Sequence, residues 1–223
     1  MTLADQGAAP PAVGTDAVRI PVFPLVLLLA LLVAAGAGIM LLLRPHVEFT
    51  NALAAPVKLV VGDAAPRAVA PGGTVRMAVP RGRTTVAQWQ LERPLSADST
   101  PMGQEVRGSS VLRSPSGTVR LRAVSRSGDN AYFAPLITNA STRPLRIAVN
   151  AGLQGAVDCG CAVRPGARRV FIGYYRLFQN STVQARVTGP GQARGSAMFR
   201  DLGAQVTAPD GTVGLRFEDK DLR

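Results

Sequence analysis

The chain has 223 residues, 47% of them hydrophobic, with 25 Lys and Arg against 14 Asp and Glu and a formal net charge of +11. One histidine and two cysteines are too few to build a four-ligand zinc site. The charge excess directs attention to anionic partners, and a length of this order allows one large or two small domains.

Residues 1–19 are mostly Ala, Pro and Gly with a few polar residues. They hold too little apolar surface to order themselves and are expected to form a disordered tail. From Ile20 to Leu43 no residue is charged. A helix over 20–43 rises about 1.5 Å per residue, so it reaches roughly 36 Å and crosses a hydrocarbon core of about 30 Å with some tilt. Arg19 and Arg44 bracket the stretch, and Pro21 and Pro24 fall in its first turns, where missing N–H groups cost least. Gly36 and Gly38 lie in a run of small residues that would let a second transmembrane helix approach closely. A cleaved signal peptide is the alternative. The apolar run is long for that role, and Ile39, Met40 and three leucines follow the small residues where a polar mature start would stand.

Beyond the anchor the sequence reads as all-β. Apolar and polar residues alternate in Val57-Lys58-Leu59, Val75-Arg76-Met77 and Val119-Arg120-Leu121-Arg122, the period of a strand with one buried face. Turn signals punctuate the chain at Gly62-Asp63, Pro71-Gly72-Gly73, Pro80-Arg81-Gly82, Pro115-Ser116-Gly117, Pro165-Gly166 and Asp210-Gly211. Short strands between such turns predict sandwich-like packing.

The same region also matches itself. Phe49-Thr50-Asn51-Ala52 with Pro56-Val57-Lys58-Leu59 parallels Ile137-Thr138-Asn139-Ala140 with Pro144-Leu145-Arg146-Ile147. Four further stretches follow in the same order: Val69-Ala70-Pro71-Gly72 with Val163-Arg164-Pro165-Gly166, Thr85-Val86 with Thr182-Val183, Arg107-Gly108-Ser109 with Arg194-Gly195-Ser196, and Pro115-Ser116-Gly117-Thr118-Val119 with Pro209-Asp210-Gly211-Thr212-Val213. Five matches in the same sequence order predict two tandem, duplicated β-sandwich-like domains at 45–127 and 132–220, joined by the polar link Ser125–Asn130. One larger sandwich with accidental matches is the alternative.

Asp158-Cys159-Gly160-Cys161 is the sharpest local feature. Cys159 and Cys161 could form a disulfide, remain free thiols or hold a soft metal ion. Phe171, Tyr174, Tyr175 and Phe178 sit among Arg168, Arg169 and Arg176, a composition typical of interface hot spots. Because Tyr174 and Tyr175 are adjacent, strand geometry predicts that one of them meets solvent, an edge or a partner. Trp89, the one tryptophan, is expected in the core, and His46 at headgroup level.

Catalytic equipment is missing from this reading. A Ser–His–Asp triad would need His46, tethered beside the bilayer. No paired carboxylates and no phosphate-binding glycine loop are recognisable. No enzyme activity and no cofactor are therefore expected. Excluding the tail, 24 basic residues face 12 acidic ones. The expected protein is a single-pass accessory subunit stabilising a larger bacterial membrane complex, photosynthetic, respiratory or secretory. Its partners would be the bilayer and acidic subunit surfaces, not nucleic acid. Its β domains would lie on the periplasmic side of the inner membrane, although the flanking arginines hardly discriminate. Two alternatives stand beside it: an extracytoplasmic module binding cell-wall polymer or lipid headgroups, and a redox or copper-handling protein using Cys159 and Cys161.

Overall fold

The computed structural model describes residues 22–42, 44–113, 115–127, 129–151, 156–188 and 195–222. The expected tail over 1–19 lies outside the described residues. Two units are distinct, one before and one after Leu43. In the first, helix α1 spans Val22–Leu42, and its side chains are described over 26–36. Among the described residues no helix is long and apolar enough to cross a membrane, so the anchor remains a reading of the sequence. The described leucines and valines of α1, such as Leu29 and Val33, are exposed.

The second unit is mostly β. Its first half runs β1 (His46–Asn51), β2 (Val57–Val61), β3 (Arg67–Val69), β4 (Thr74–Ala78), β5 (Thr85–Leu91), β6 (Arg107–Leu112) and β7 (Thr118–Ala123). The expected polar link is a tight hairpin of β8 (Arg126–Ser127) and the start of β9 (Asn130–Asn139). The chain continues through β10 (Leu145–Asn150), β11 (Ala156–Val163), β12 (Val170–Phe171), β13 (Tyr175–Arg176), β14 (Thr182–Val187) and β15 (Ser196–Phe199). A one-turn helix α2 (Leu202–Gln205), β16 (Thr212–Phe217) and a 3-10 turn at Asp219–Asp221 end it.

The strand pairing of the first half recurs in the second. Sheet β4-β1-β7, with β1 and β7 parallel, answers to β12-β9-β16, with β9 and β16 parallel. The antiparallel sheet β3-β2-β5-β6 answers to β11-β10-β14-β15. Strands alternate as their sequences predict: β2 is buried at Val57, Leu59 and Val61 and open at Lys58. One core gathers Val47, Phe49, Leu59 and Leu91, and a second gathers Ile137, Ile147, Leu215 and Phe217.

A buried asparagine holds each half at the same point. Asn51, fully buried at the end of β1, donates through Nδ2 to the carbonyls of Ala55 and Val69, both at 2.9 Å, and its Oδ1 accepts from Leu53 N–H at 3.0 Å. Asn139 does the same at the end of β9: Nδ2 donates to Arg143 O and Val163 O at 2.9 Å, and Oδ1 accepts from Ser141 N–H at 3.0 Å and Ser141 Oγ at 2.7 Å. Each amide thus satisfies backbone groups of a loop and a neighbouring strand that burial would otherwise leave unpaired.

Register also corrects two of the sequence matches. Val61 pairs with Ala87, and Val149 pairs with Val183, so Ala87 rather than Val86 is the counterpart of Val183. A slip of one residue exchanges faces: Val86 is exposed where Val183 is buried. Likewise Gly108 pairs with Trp89 and Ala197 with Ala185, so Gly108 corresponds to Ala197 rather than to Gly195. Arg194 lies outside the described residues.

Replacing Asn51 or Asn139 by Ala should lower unfolding stability by about 3 kcal/mol, since several buried backbone groups lose their partner together. Urea unfolding of each variant checks this, and a loss no larger than that of an exposed Asn180→Ala control would contradict it.

Candidate functional site

The segment Arg168–Phe178 carries most of the residues that the sequence singles out, and its path explains them. Arg168, Arg169 and Arg176 are exposed. Arg176 donates to Asn130 Oδ1 at 3.0 Å, and its guanidinium lies 5.3 Å from the Phe178 ring centre, within cation–π range. Tyr174 and Tyr175 are both buried, at 0% and 2% exposure. The expectation that one of them reaches solvent is therefore corrected. Alternation holds, but both sides of this segment are cores: Tyr174 belongs to the first cluster and Tyr175 to the second.

Tyr174 fastens the two halves. Its hydroxyl accepts from Ala54 N–H at 2.8 Å, in the first half, and donates to Asp210 O at 2.6 Å, in the second. Its ring meets Phe171 edge-on, centres 5.8 Å apart. Tyr175 Oη donates to Ile172 O at 3.0 Å, and its ring lies 6.0 Å from Phe133. The backbone beside them is laced as well. Tyr174 O accepts from Gln104 N–H at 2.7 Å, and Gln104 Oε1 accepts from Arg176 N–H at 2.7 Å.

This closeness requires glycine at two positions. A Cβ on Gly173 would stand 2.8 Å from Met102 O, and one on Gly103 would stand 2.8 Å from Tyr174 O. Both residues also have positive φ, +100° and +76°, which glycine adopts without steric cost.

Cys159 and Cys161 are joined in a disulfide, and no free cysteine occurs among the described residues. The pair sits on a β-bulge. Ile147 pairs with Cys161 and the next residue, Ala148, with Asp158, so Cys159 and Gly160 are extra on β11. The bridge staples the bulge, and Cys161 Sγ lies 3.2 Å from Met102 Sδ. Among the described residues no group of three His, Cys, Asp or Glu is placed to hold a metal ion.

The remaining sequence candidates are scattered. His46 begins β1 and is half-buried, with Nδ1 2.8 Å from Arg44 O and Nε2 3.3 Å from Thr118 Oγ1. Trp89 packs on the first core with its ring 6.4 Å from Phe49, but it remains half-exposed. In α1, a Cβ on Gly36 would meet nothing within 4 Å, and the surroundings of Gly38 lie outside the described residues.

Charge is arranged in rows. Glu48 on β1 stands between Arg76 on β4 and Arg120 on β7, its register partners, at 3.1 and 3.7 Å. Arg122, exposed on β7, extends the cationic side. Near the C-terminus Arg216 and Lys220 flank Glu218 at 2.7 and 2.9 Å. Hydrogen bonds from Lys220 and Arg216 hold the Glu218 carboxyl below the usual carboxylate range.

No known protein family and no curated protein matches the chain. Among solved structures it is similar to a candidate cell adhesion protein from Bacteroides eggerthii, at 11% identity over 79% of this chain and 87% of that one, with a TM-score of 0.30. Similarity at that level carries no argument about fold or function.

Burial raises the pKa of both tyrosines, making each phenol a weaker acid. It pushes the Tyr174 phenol up against the opposing effect of the Ala54 N–H, and the Tyr175 phenol up against a backbone hydrogen bond from Gly103. In the unfolded chain each titrates near pH 10. The stabilisation is therefore complete below about pH 10 and is lost as pH rises through the higher folded values. Tyr174→Phe should cost about 1–3 kcal/mol at pH 7, by stranding the Ala54 N–H, and should flatten the loss of stability above pH 10. Unfolding curves at pH 7 to 11 test both, and an unchanged alkaline slope would contradict the assignment.

Proposed function

We propose that the protein is a non-catalytic, single-pass accessory subunit of a larger bacterial membrane complex. Its helix would hold a neighbour within the bilayer while its arginine-rich β body grips an acidic face outside. The observation that carries this reading is the joining, in one chain, of an uncharged run from Ile20 to Leu43 to a cross-laced β body that displays arginines outward. Two weak contacts on one chain act as a strong one, because the first raises the effective concentration of the second.

The recurring strand pairing supports reading 45–127 and 132–220 as duplicated β-sandwich-like modules, here fused into one compact unit. A periplasmic location of that unit is supported by the Cys159–Cys161 disulfide, a bond that persists in oxidising compartments. In the same reading Arg168, Arg169 and Arg176 belong to the gripping surface, and Gly36 and Gly38 to the contact within the membrane. Tyr174 and Tyr175 act from beneath, holding the segment that presents the arginines.

The row Arg76-Glu48-Arg120, with Arg122 beside it, favours a second reading, a module for cell-wall polymers or lipid headgroups. Redox or copper chemistry at Cys159 and Cys161 would first require reduction of their bond.

Extraction of native membranes with a mild detergent, followed by native electrophoresis and mass spectrometry, should find the chain in fixed stoichiometry with other integral subunits. Migration as a lone monomer would contradict the proposal. Release by 1 M salt, where the Debye length falls to about 3 Å, would support the second reading instead.

A further inference from the structure

The two halves share strand register but fill one place differently. In the second half, Phe199 on β15 pairs with Val183, and its ring meets that of Phe217 edge-on at 5.0 Å. In the first half, Ser110 on β6 occupies the register position of Phe199, opposite Ala87. Ala123, opposite Asn51, occupies that of Phe217, opposite Asn139. Both rings of the plug are therefore absent from the first half. Trp89 stands where the second half has Ala185, and it makes up only part of the volume. Its seat depends on Gly108, where a Cβ would come within 2.6 Å of the indole.

What remains is a cavity of about 230 Å³ beside Ser110. Trp89, Val106, Leu121 and Tyr132 form its apolar wall. A cavity of about 150 Å³ has room for benzene, so by volume this partly open and partly polar one has room for a six-membered ring and a short tail. Ser110 and Asn130 add polar groups, and the charged lining residues are Arg107 and Arg122, with no carboxylate among them. Arg107 is only loosely engaged, 3.6 Å from Glu105 and 77% exposed.

We infer that this cavity is a binding site for one aromatic ring carrying an anionic group, seated where the second half places its own Phe199. The ring stacks against Trp89 and the wall of Leu121 and Tyr132, replacing contacts that Ser110 leaves unmade. The anion faces the Arg107 and Arg122 side. A free aromatic carboxylate and the C-terminal aromatic residue of a polypeptide share this chemistry.

Trp89 is the one tryptophan of the chain, so its fluorescence reports on binding beside its ring, and the Ser110→Phe variant assigns the response to this cavity rather than to the second cavity that Trp89 also lines. Full-length protein in detergent, titrated with 3-phenylpropionate, should show a saturable change with Kd on the order of 0.1–1 mM. Butyrate, which lacks the ring, should give none. A pentapeptide ending in Phe that binds tighter than the free acid assigns the ring to a polypeptide terminus; equal or weaker binding assigns it to a small acid. Ser110→Phe supplies the missing ring internally and should abolish the response. Arg107→Gln with Arg122→Gln, both exposed and independent of the core, should weaken 3-phenylpropionate at least fivefold and leave benzyl alcohol unchanged. Absence of a saturable response, or an equal response in the Ser110→Phe protein, would overturn the inference. Equal affinity of the double arginine variant would overturn its anionic part.

Discussion

One phenol decides that the β region is a single body. Tyr174 takes the Ala54 N–H from one half and gives its proton to the Asp210 carbonyl of the other. A polar group so deeply buried is costly unless both of its roles are used, and here both are. The glycine pair Gly103 and Gly173 follows from it, because the segment carrying Tyr174 must lie against the connection between β5 and β6. The exposure of Arg168, Arg169 and Arg176 follows too: with both tyrosines turned inward, the flanking arginines are what the segment offers to solvent.

Within each half, the asparagine at the end of the parallel strand plays the local part that Tyr174 plays between halves. Asn51 and Asn139 bind their own loops and β3 or β11 with the same set of bonds. This fixed frame lets the side chains between the sheets diverge. Trp89 against Ala185, Ser110 against Phe199 and Ala123 against Phe217 are different fillings of one backbone plan. Filling is conserved in the second half by two rings and left open in the first.

Much of this was legible in the sequence. Strand period and turn residues gave the β class, because alternation reflects a half-buried pleat directly. The Asn-containing match at 51 and 139, the Pro-Gly turns and the stretch before β7 and β16 all occupy equivalent positions. Short matches failed: Thr85-Val86 is one residue out and Arg107-Gly108-Ser109 two, since two or three residues cannot define register when loops differ in length. The burial of both tyrosines was hidden because alternation tells which residues oppose one another, not whether each side is water or core. The bulge at Cys159-Gly160 depends on pairing with β10, which no local pattern contains. The repeated asparagine was visible, but its meaning as a buried amide needed the loops that it ties.

A body fixed in this way can present its arginine rows at constant spacing, which a flexible tail could not do. The claim beneath everything else is that residues 44–223 unfold as one cooperative unit. Denaturant unfolding of the full-length protein in detergent tests it most directly, followed at once by Trp89 fluorescence, which reads the first half, and by far-ultraviolet circular dichroism, which reads the whole. Coincident β-unit transitions are predicted. A Trp89 transition displaced from the loss of strand signal would show two independent halves and contradict the account.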